Sequence, residues 1–373
     1  MPEFIDIRTC DDPRDEIHRV VERLAAGEIV GLPTETSYVA AALASQPDSI
    51  SHLRRISGTP LVLSVKTPDE ALDFVADVDS EGERLFRRLW PGPAVIEAVV
   101  GSDDGLIAAF SDPVTSALVR HGRVRLRMPD HSVIAEIQRL VAAPLVFSGD
   151  PADGIISSPS FLIERTGSAV QVVIEDGPPL SPGRSTIVRL QKGGWTIVEK
   201  GLLDESMIRE RTNFGVIFVC TGNTCRSPLA EAIFRKLLAE RLDCSESELL
   251  VRGFFVASAG LSANYGMPAA AESLALAEEF GLDLARHRSQ PLTDELLDRT
   301  DYVFAMTSGH RESILSVRPD LAGRVHLLSR EGIDVADPIG GGPADYEHCR
   351  AEIERELLVL LEHLPIGPKS TRS

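Results

Sequence analysis

The sequence predicts an α/β protein with two domains: an N-terminal α+β domain on a twisted mixed sheet, and a C-terminal domain on a doubly wound, four-stranded parallel sheet. A length of 373 residues is sufficient for two hydrophobic cores. In the C-terminal part, short apolar runs alternate with amphipathic segments, which is typical of a parallel sheet covered by helices. In the N-terminal part, strand-like and helix-like segments are mixed without strict alternation, which indicates an α+β domain.

A charged stretch from residue 204 to residue 213 lies between these parts and is suited to a short helical linker. We therefore predict the N-terminal domain at residues 1–205 and the linker at 206–213. The C-terminal domain is predicted at residues 214–366, followed by a tail at 367–373.

The composition is that of a globular protein, with 43% hydrophobic and 25% charged residues, and it excludes a disordered chain. The formal net charge of −18 argues against broad binding to nucleic acid or to anionic membranes, although a local basic pocket stays possible. No apolar run approaches the length of a spanning helix, and the first residues lack the pattern of a signal peptide, so we expect no membrane partner and a cytoplasmic location. The five cysteines are scattered and odd in number, which excludes a disulfide framework.

Residues 216–231 read VIFVCTGNTCRSPLAE and carry the strongest chemical signal in the chain. A buried strand ends at Cys220, and Ser227-Pro228 opens an amphipathic helix. A tight loop between a strand and a helix turns successive backbone N–H groups inward, and the helix N-terminus adds its own donors. The sequence therefore predicts a loop that binds a dianion of the size of phosphate.

The side chains of this loop are those of nucleophilic displacement at phosphorus. The backbone donors and the guanidinium of Arg226 favour a thiolate at Cys220, and Arg226 can grip two phosphoryl oxygens at once. The hydroxyl of Ser227 can donate to the thiolate and ease its departure in the second step. The remaining candidates for phosphate or substrate binding are the other residues of the loop: Thr221, Gly222, Asn223, Thr224 and Cys225.

The loop CTGNTCRSP resembles the signature of the low-molecular-weight protein tyrosine phosphatases. The resemblance extends over residues 214–364 and includes SAG at 258–260, DYVFAM at 301–306 and Asp337-Pro338. It implies a phosphatase that forms a cysteinyl-phosphate on Cys220, with Arg226 binding the phosphoryl group and Asp337 as general acid and then base. It implies phosphorylated proteins as substrates and requires no cofactor or metal ion.

Asp337 follows a predicted strand and precedes three glycines, so its loop is able to reach the phosphate site. Protonating an aryl oxide, whose conjugate acid has a pKa of about 10, assists cleavage of the P–O bond. An Asp-Pro pair is also common in plain turns, and only its position favours the catalytic interpretation.

Two features bear on which phosphorylated side chain is the substrate. Ile339-Gly340 stands where tyrosine-specific members carry an aromatic pair, although Tyr265 on a neighbouring loop could compensate. Thr224 replaces a bulkier aliphatic residue and resembles the protein-arginine-phosphatase branch of the family. Phosphotyrosine and phosphoarginine both stay open, with a small preference for phosphoarginine.

The alternative functions of the C-terminal domain have less support in the sequence. Arsenate reduction needs further thiols near the loop, and only Cys349 is available late in the domain. Cys220 and Cys225 are close enough in the loop for a reversible disulfide, but Cys225 is as well explained by packing. His310, His326 and His348 lack metal-ligand spacing and are expected to be surface or packing residues.

The elements predicted outside the phosphate loop follow from periodicity and turn residues. In the N-terminal part they are helices at 17–26 and 83–89 and strands at 28–32, 61–65, 124–128, 144–147, 170–174, 186–190 and 195–198. In the C-terminal part they are strands at 254–257, 302–305 and 325–328 and helices at 268–280 and 346–364.

Several N-terminal motifs resemble the YrdC-like domain of threonylcarbamoyl-adenylate synthases, over about residues 5–205. They are AGEIVGLPTETSY at 26–38, LWPGP at 89–93, RLRMPDHSV at 125–133, DGPP at 176–179 and GRSTIV at 183–188. The candidate ligand site comprises residues whose side chains carry hydroxyl groups: Thr34, Thr36, Tyr38, Ser185 and Thr186.

The departures from this second family fall at the residues that carry its chemistry. Its Lys-x-Arg pair is replaced by residues 57–60, SGTP, and its Ser-Ala-Asn by residues 148–150, SGD. Losing fixed cations where a triphosphate must lie removes the main electrostatic attraction for it. We expect the domain to keep the fold and to have lost or changed synthase activity; retained synthesis, nucleotide or RNA binding, and a purely structural role are the alternatives.

Overall fold

The computed structural model describes residues 2–101, 105–151 and 154–364. The predicted tail at 367–373 lies outside the described residues. By its internal contacts the chain divides into two compact units, Met1–Arg211 and Thr212–Ser373. Within the described residues, no helix has the length and apolar character needed to cross a membrane.

The first unit is built on a mixed sheet, as the α+β prediction requires. Its described residues contribute ten strands in the order β1-β8-β2-β3-β7-β4-β6-β5-β9-β10, with parallel and antiparallel neighbours. These strands are β1 Glu3–Asp6, β2 Ile29–Pro33, β3 Tyr38–Leu43, β4 Val62–Ser64, β5 Ala94–Val99, β6 Arg123–Arg127, β7 Leu145–Phe147, β8 Val170–Glu175, β9 Thr186–Gln191 and β10 Gly194–Glu199.

Helices lie on both faces of this sheet. They are α1 Pro13–Ala25, α2 Pro47–Ser57, α3 Pro68–Leu72, α4 Ser80–Leu89, α5 Asp112–Leu118, α6 Ser132–Leu140 and α7 Pro159–Thr166. Successive side chains of β2 point to opposite faces of the sheet and so join two different hydrophobic cores. Val30 packs with α1 and α6, whereas Ile29 packs on the opposite face. The predicted first helix is confirmed, and Gly27 follows it with the positive φ of 86° expected beyond a helix end.

A short helix, α8 Glu205–Thr212, occupies the stretch where a helical linker is predicted. Ile208 on this helix is fully buried in the core of the first unit. Arg209 places its guanidinium 5.2 Å from the centre of the Trp195 ring. The segment is therefore packed against the first unit.

The second unit is a doubly wound parallel sheet, as predicted. Its described residues contribute four strands in the order β12-β11-β13-β14, all parallel. They are β11 Phe214–Cys220, β12 Phe254–Gly260, β13 Tyr302–Ala305 and β14 Val325–Leu327. The helices are α9 Arg226–Arg241, α10 Ala271–Glu279, α11 Asp294–Asp298, α12 Ser308–Val317 and α13 Pro343–His363.

The sequence of β11 explains both faces of this sheet. Val216 and Phe218 pack on one side with α9 and α13, while Ile217 and Val219 pack on the other side with α11 and α12. A strand that is buried on both faces reads as a continuous apolar run. Cys220 ends the run at the carboxyl edge of the sheet, where ligands of this architecture bind.

Some elements differ from the sequence prediction. The helix predicted at 268–280 begins at Ala271, because the preceding residues run beside the phosphate loop instead. Strand β3 was not predicted, since its sequence YVAAAL is rich in alanine, which has low strand propensity. All six of its residues are buried between neighbouring strands, so tertiary packing overrides the local preference.

Candidate functional site

The phosphate loop begins at the central part of the second sheet and ends on a helix. Strand β11 carries Cys220 to the edge, and α9 begins at Arg226 with Cys225 as its N-cap residue. Asn223 lies between them with a φ of 54°, in the left-handed region that lets the backbone turn inward. The loop thus has the strand, turn and helix that the sequence predicted for anion binding.

The thiol of Cys220 is buried and receives hydrogen bonds from its own loop. The backbone N–H of Asn223 donates to Cys220 Sγ over 3.2 Å, and Ser227 Oγ lies 3.0 Å from the same sulfur. Ser227 accepts a bond from the Asn223 amide at 2.9 Å, which leaves its own hydrogen for the sulfur or for the carbonyl of Ala259 at 3.3 Å. This arrangement can stabilise negative charge on sulfur.

Arg226 holds the carboxylate of Asp337 at the mouth of the loop. One guanidinium nitrogen lies 2.5 Å from Asp337 Oδ2, and the other terminal nitrogen donates to the carbonyl of Val335 over 3.1 Å. The arginine side chain is 5% exposed, whereas that of Asp337 is 39% exposed. The fold therefore brings Cys220, Arg226 and Asp337 together from segments more than a hundred residues apart.

Asn223 orders the loop through its side chain. Its amide nitrogen donates to Ser227 Oγ and to Ser258 Oγ, each over 2.9 Å. Its amide oxygen accepts from the backbone of Gln290 at 2.9 Å. Ser258 in turn donates to Glu231, a carboxyl group whose pKa is raised by burial. The amide thus joins the loop to β12 and to α9.

The remaining loop residues face different surroundings. Thr221 and Thr224 are at least partly accessible, and a Cβ on Gly222 would lie 3.6 Å from Thr224 Oγ1, an ordinary van der Waals contact. Cys225 is 5% exposed and packs beside Tyr346, whose hydroxyl lies 3.5 Å from its sulfur. The described cysteines are all free thiols.

The segment before α10 runs along the phosphate loop and supports it. The backbone N–H groups of Leu261, Ser262 and Ala270 donate to the carbonyls of Cys220, Thr221 and Thr224. A Cβ on Gly260 would lie 2.5 Å from the carbonyl oxygen of Thr221, so this close approach needs glycine. Tyr265 on this segment is 73% exposed, and Ile339 beyond Asp337 is 69% exposed.

His310 contacts the phosphate loop, although the sequence reading placed it among surface or packing residues. Its Nε2 lies 2.9 Å from Thr221 Oγ1, and the residue is 7% exposed. Burial and the neighbouring charge of Arg226 lower its pKa. A threonine three residues ahead of it at the start of α12 was the available sequence signal, because such a residue caps a helix and fixes the first turn.

The candidate residues of the first unit are buried and mostly bonded to the protein itself. Thr34 Oγ1 donates to the carbonyl of Ser37 and lies 3.2 Å from Thr36 Oγ1. The Tyr38 hydroxyl donates to the carbonyl of Gly177 at 2.6 Å. These contacts hold the segment that joins β2 to β3.

The two remaining candidates, Ser185 and Thr186, differ in their hydrogen bonds. Thr186 Oγ1 exchanges two 2.8 Å bonds with the backbone of Leu203, so its one hydrogen is already donated to the protein. Ser185 Oγ is buried, has no hydrogen-bond partner among the residues that the structure describes, and lines a cavity of about 170 Å³. The fold therefore brings Ser185 to a cavity and uses Thr186 for packing of the backbone.

An acidic side chain fills part of the first unit's candidate site. Asp150 accepts from Ser37 Oγ at 3.2 Å and from the backbone N–H of Ser185 at 2.8 Å. A Cβ on Gly149 would lie 2.6 Å from the carbonyl oxygen of Pro60, so the SGTP and SGD departures contact each other. A carboxylate in this position repels a phosphate group and takes donors that one would use.

Comparison with known proteins bears on each unit. The family model described as "Low molecular weight phosphotyrosine protein phosphatase" matches residues 215–367. The protein-arginine-phosphatase of Geobacillus stearothermophilus is 36% identical over 156 residues, covering 40% of this chain and 96% of the relative. The chain belongs to this family through its C-terminal unit.

Other relatives of this phosphatase unit include a protein that is named as a tyrosine phosphatase. A probable low molecular weight protein-tyrosine-phosphatase, EpsP, from Ralstonia nicotianae is 33% identical over 141 residues, covering 38% of this chain and 88% of the relative. The crystal structure of a YwlE mutant from Bacillus subtilis is 36% identical, with a TM-score of 0.37, and covers 41% of this chain and 99% of that one. The prediction of a phosphatase-family C-terminal domain is confirmed.

The N-terminal unit matches a different family. The model for the Sua5, YciO and YrdC proteins, described as "Telomere recombination", covers residues 22–201. The resemblance of this unit to the YrdC-like family is therefore confirmed as well.

Proposed function

We propose that the C-terminal unit is a protein phosphatase that acts through a cysteinyl-phosphate on Cys220. The observation that supports this most directly is the meeting of Cys220, Arg226 and Asp337 at one loop mouth, with the Asp337 carboxylate on the guanidinium that would hold a phosphoryl group. The Asp337 carboxylate contacts this guanidinium through one oxygen, Oδ2, at a position where a phosphoryl oxygen could bind instead. Substrate binding then displaces Asp337 toward the leaving group.

The proposed reaction has two displacements at phosphorus. The Cys220 sulfur forms an S–P bond while the P–O or P–N bond of the substrate breaks, and Asp337 gives its proton to the departing oxygen or nitrogen. Asp337 next takes a proton from water, which attacks phosphorus and releases phosphate. Ser227 Oγ, 3.0 Å from the sulfur, donates to the thiolate as it leaves.

We propose phosphoarginine in proteins as the preferred substrate and phosphotyrosine as the second candidate. The support is Thr224 in the loop and the arginine-phosphatase relative at 36% identity. Ile339, which stands where an aromatic wall would flank a tyrosine ring, points the same way. A hydroxyl at position 224 can accept a bond from a guanidinium, which an aliphatic side chain cannot.

Release of phosphate from phosphoarginine and phosphotyrosine peptides by wild type and by Cys220→Ser tests the mechanism. We expect turnover of at least one peptide by wild type and none by the variant, because a serine hydroxyl is a much weaker nucleophile than a thiolate. Equal activity in both proteins, or no activity in wild type, would contradict the proposal.

Two substitutions at Thr224 test the substrate preference. Thr224→Val keeps the shape and removes the hydroxyl, so kcat/KM for phosphoarginine should fall about tenfold, the effect of one lost hydrogen bond, with phosphotyrosine unchanged. Thr224→Ser keeps the hydroxyl and should retain the preference. Equal losses on both peptides would assign Thr224 a role in folding the loop only.

For the first unit we propose loss of threonylcarbamoyl-adenylate synthesis, supported by Asp150 and by the missing cations at residues 57–60. Consumption of ATP with threonine and bicarbonate by the full chain would overturn this. A nucleotide or RNA ligand and a cytoplasmic location stay predictions. Arsenate reduction is disfavoured, because burial raises the pKa of the Cys349 thiol to about 12 and keeps it protonated.

A further inference from the structure

A buried histidine connects the phosphate loop to the start of helix α12. The Nε2 of His310 lies 2.9 Å from Thr221 Oγ1, and its Nδ1 lies 2.8 Å from Thr307 Oγ1. Thr221 directly follows Cys220, so the ring contacts the first residue of the loop after the sulfur. His310 itself is too deep in the fold to touch solvent freely, at 7% exposure.

The hydrogen bonds around Thr307 indicate which ring nitrogen carries the proton. Thr307 Oγ1 accepts from the backbone N–H of His310 at 3.2 Å as the cap of α12, so its own hydrogen is free to donate to Nδ1. A neutral imidazole that accepts at Nδ1 carries its hydrogen on Nε2 and donates it to Thr221. The hydroxyl hydrogen of Thr221 is then left as a donor for another group.

Burial, and then the charge of Arg226, favour this neutral form of His310. Arg226 at the start of α9 acts against a second positive charge, and Asp334 and Asp337 after β14 act in favour of one. Burial adds to the effect of Arg226, and together they lower the pKa of the ring below its usual value. At neutral pH the ring therefore joins Thr307 to Thr221 without adding charge beside Arg226.

We infer that His310 is a positioning residue, which holds Thr221 and thereby the first half of the phosphate loop in the conformation that receives a phosphoryl group. Its consequences for turnover rest on the proposed phosphatase function; its consequences for phosphate affinity do not. The inference requires that His310 and Thr221 act as one unit, so that removing either has the effect of removing both.

The test combines phosphate binding and nuclear magnetic resonance on the full chain. Inorganic phosphate is titrated calorimetrically into wild type, His310→Ala, Thr221→Val and the double variant. Because each single change breaks the same bond, we expect each to weaken phosphate about tenfold, and the double variant to be no weaker than the singles. His310→Gln, whose amide N–H can replace Nε2–H, should retain affinity within about twofold.

Imidazole ¹⁵N shifts provide the second readout. We expect His310 at pH 7 to show hydrogen on Nε2 and a bare Nδ1, and Thr307→Val to alter the Nδ1 signal. His326→Ala is the matched control, because this histidine of the same unit packs 5.9 Å from the Tyr302 ring. It should leave phosphate affinity unchanged.

Three results would overturn the inference: a protonated ring or a hydrogen on Nδ1 at pH 7, additive losses in the double variant, or loss of stability without loss of phosphate affinity. Failure of wild type to hydrolyse phosphopeptides is a separate outcome. It would contradict the proposed function, while the pattern of phosphate affinities would still decide the role of His310.

Discussion

In each unit of this chain a buried arginine pairs with a carboxylate, Arg226 with Asp337 and Arg127 with Glu35, and these two pairs differ in the surroundings of the acid. In the second unit Arg226 lies 2.5 Å from Asp337, whose side chain is 39% exposed. In the first unit Arg127 lies 2.9 Å from Glu35, whose side chain is 7% exposed. The two arginine side chains are about equally buried, at 5% and 4% exposure, so the pairs differ in the exposure of the acid.

The bonds of each acid show what the difference means. The second oxygen of Glu35 accepts from the backbone of Asp130, and Arg127 also donates to Thr36, so that pair is fixed on both sides. Within the described part of the chain, the second oxygen of Asp337 accepts only a 3.3 Å bond inside its own turn, from Ile339. Removing one partner of a buried pair leaves the other charge buried and uncompensated, whereas an acid at the surface can exchange its arginine for another anion.

The largest effect should come from replacing the guanidinium of Arg226, whose partner Asp337 is partly exposed. Arg226→Lys removes bidentate contact with the phosphoryl group, and we expect kcat/KM to fall by about 10³, near the upper limit for one lost donor. Arg127→Lys is the matched control and should leave phosphatase kinetics unchanged. Equal losses from the two substitutions would contradict the distinction between the pairs.

Replacing Asp337 should have a smaller effect on catalysis, and the size of that effect should depend on the leaving group. Asp337→Asn removes the proton donor, and we expect kcat to fall about 10²-fold for a phenolic leaving group of high pKa. The loss should shrink for activated aryl phosphates, which need little protonation. A loss of kcat of the same size across a series of leaving groups would show that Asp337 is not the general acid.

Breaking the Arg127–Glu35 pair should instead lower the stability of the first unit. Glu35→Gln leaves the Arg127 charge buried and unpaired, which should lower the free energy of unfolding of the first unit by about 3 kcal/mol. Both tryptophans of the chain, Trp90 and Trp195, lie in this unit, so fluorescence during urea unfolding reports on it.

The control for this measurement is an exposed pair of the same unit. Glu136→Gln breaks the contact with Arg139 on α6, whose side chain is 73% exposed, and should change stability by less than about 0.5 kcal/mol. Glu35→Gln should also leave phosphatase rates unchanged. A stability loss no larger than that of the control would show that the Glu35 pair is not structural.

The smallest effect concerns pH. Burial lowers the pKa of His131, near the Glu35 pair, so the folded unit binds its proton less tightly than the unfolded chain does. The contribution of His131 to stability should therefore be constant above about pH 6.5 and become unfavourable as the pH drops below it. His131→Asn keeps a side chain able to cap α6, and its urea midpoint should fall less between pH 7.5 and pH 5.5. Parallel curves would contradict this assignment.

The two sites were not equally predictable. The residues of the phosphate loop are consecutive in sequence, so strand, turn and helix signals placed Cys220 and Arg226 without a structure. Asp337 needed the family resemblance, because an Asp-Pro pair has no local signature of catalysis. His310 was missed, since its partner Thr221 lies 89 residues away in sequence.

The first unit shows the opposite case. Its hydroxyl residues were found from motifs, but nothing local indicates that Thr186 bonds only backbone atoms or that Asp150 reaches Ser37, 113 residues distant. Hydroxyl groups bond whichever partner the fold supplies, so their sequence neighbours carry little information about their role.

The sequence alone determined the fold class of both units, because the local spacing of hydrophobic residues predicts buried strands and amphipathic helices. It also determined the phosphate loop, whose backbone donors come from a contiguous segment. Tertiary structure decided which acid is exposed beside its arginine, which hydroxyls are already bonded, and which histidine supports the loop. These properties depend on distances and burial between segments far apart in the chain, and local sequence does not encode them.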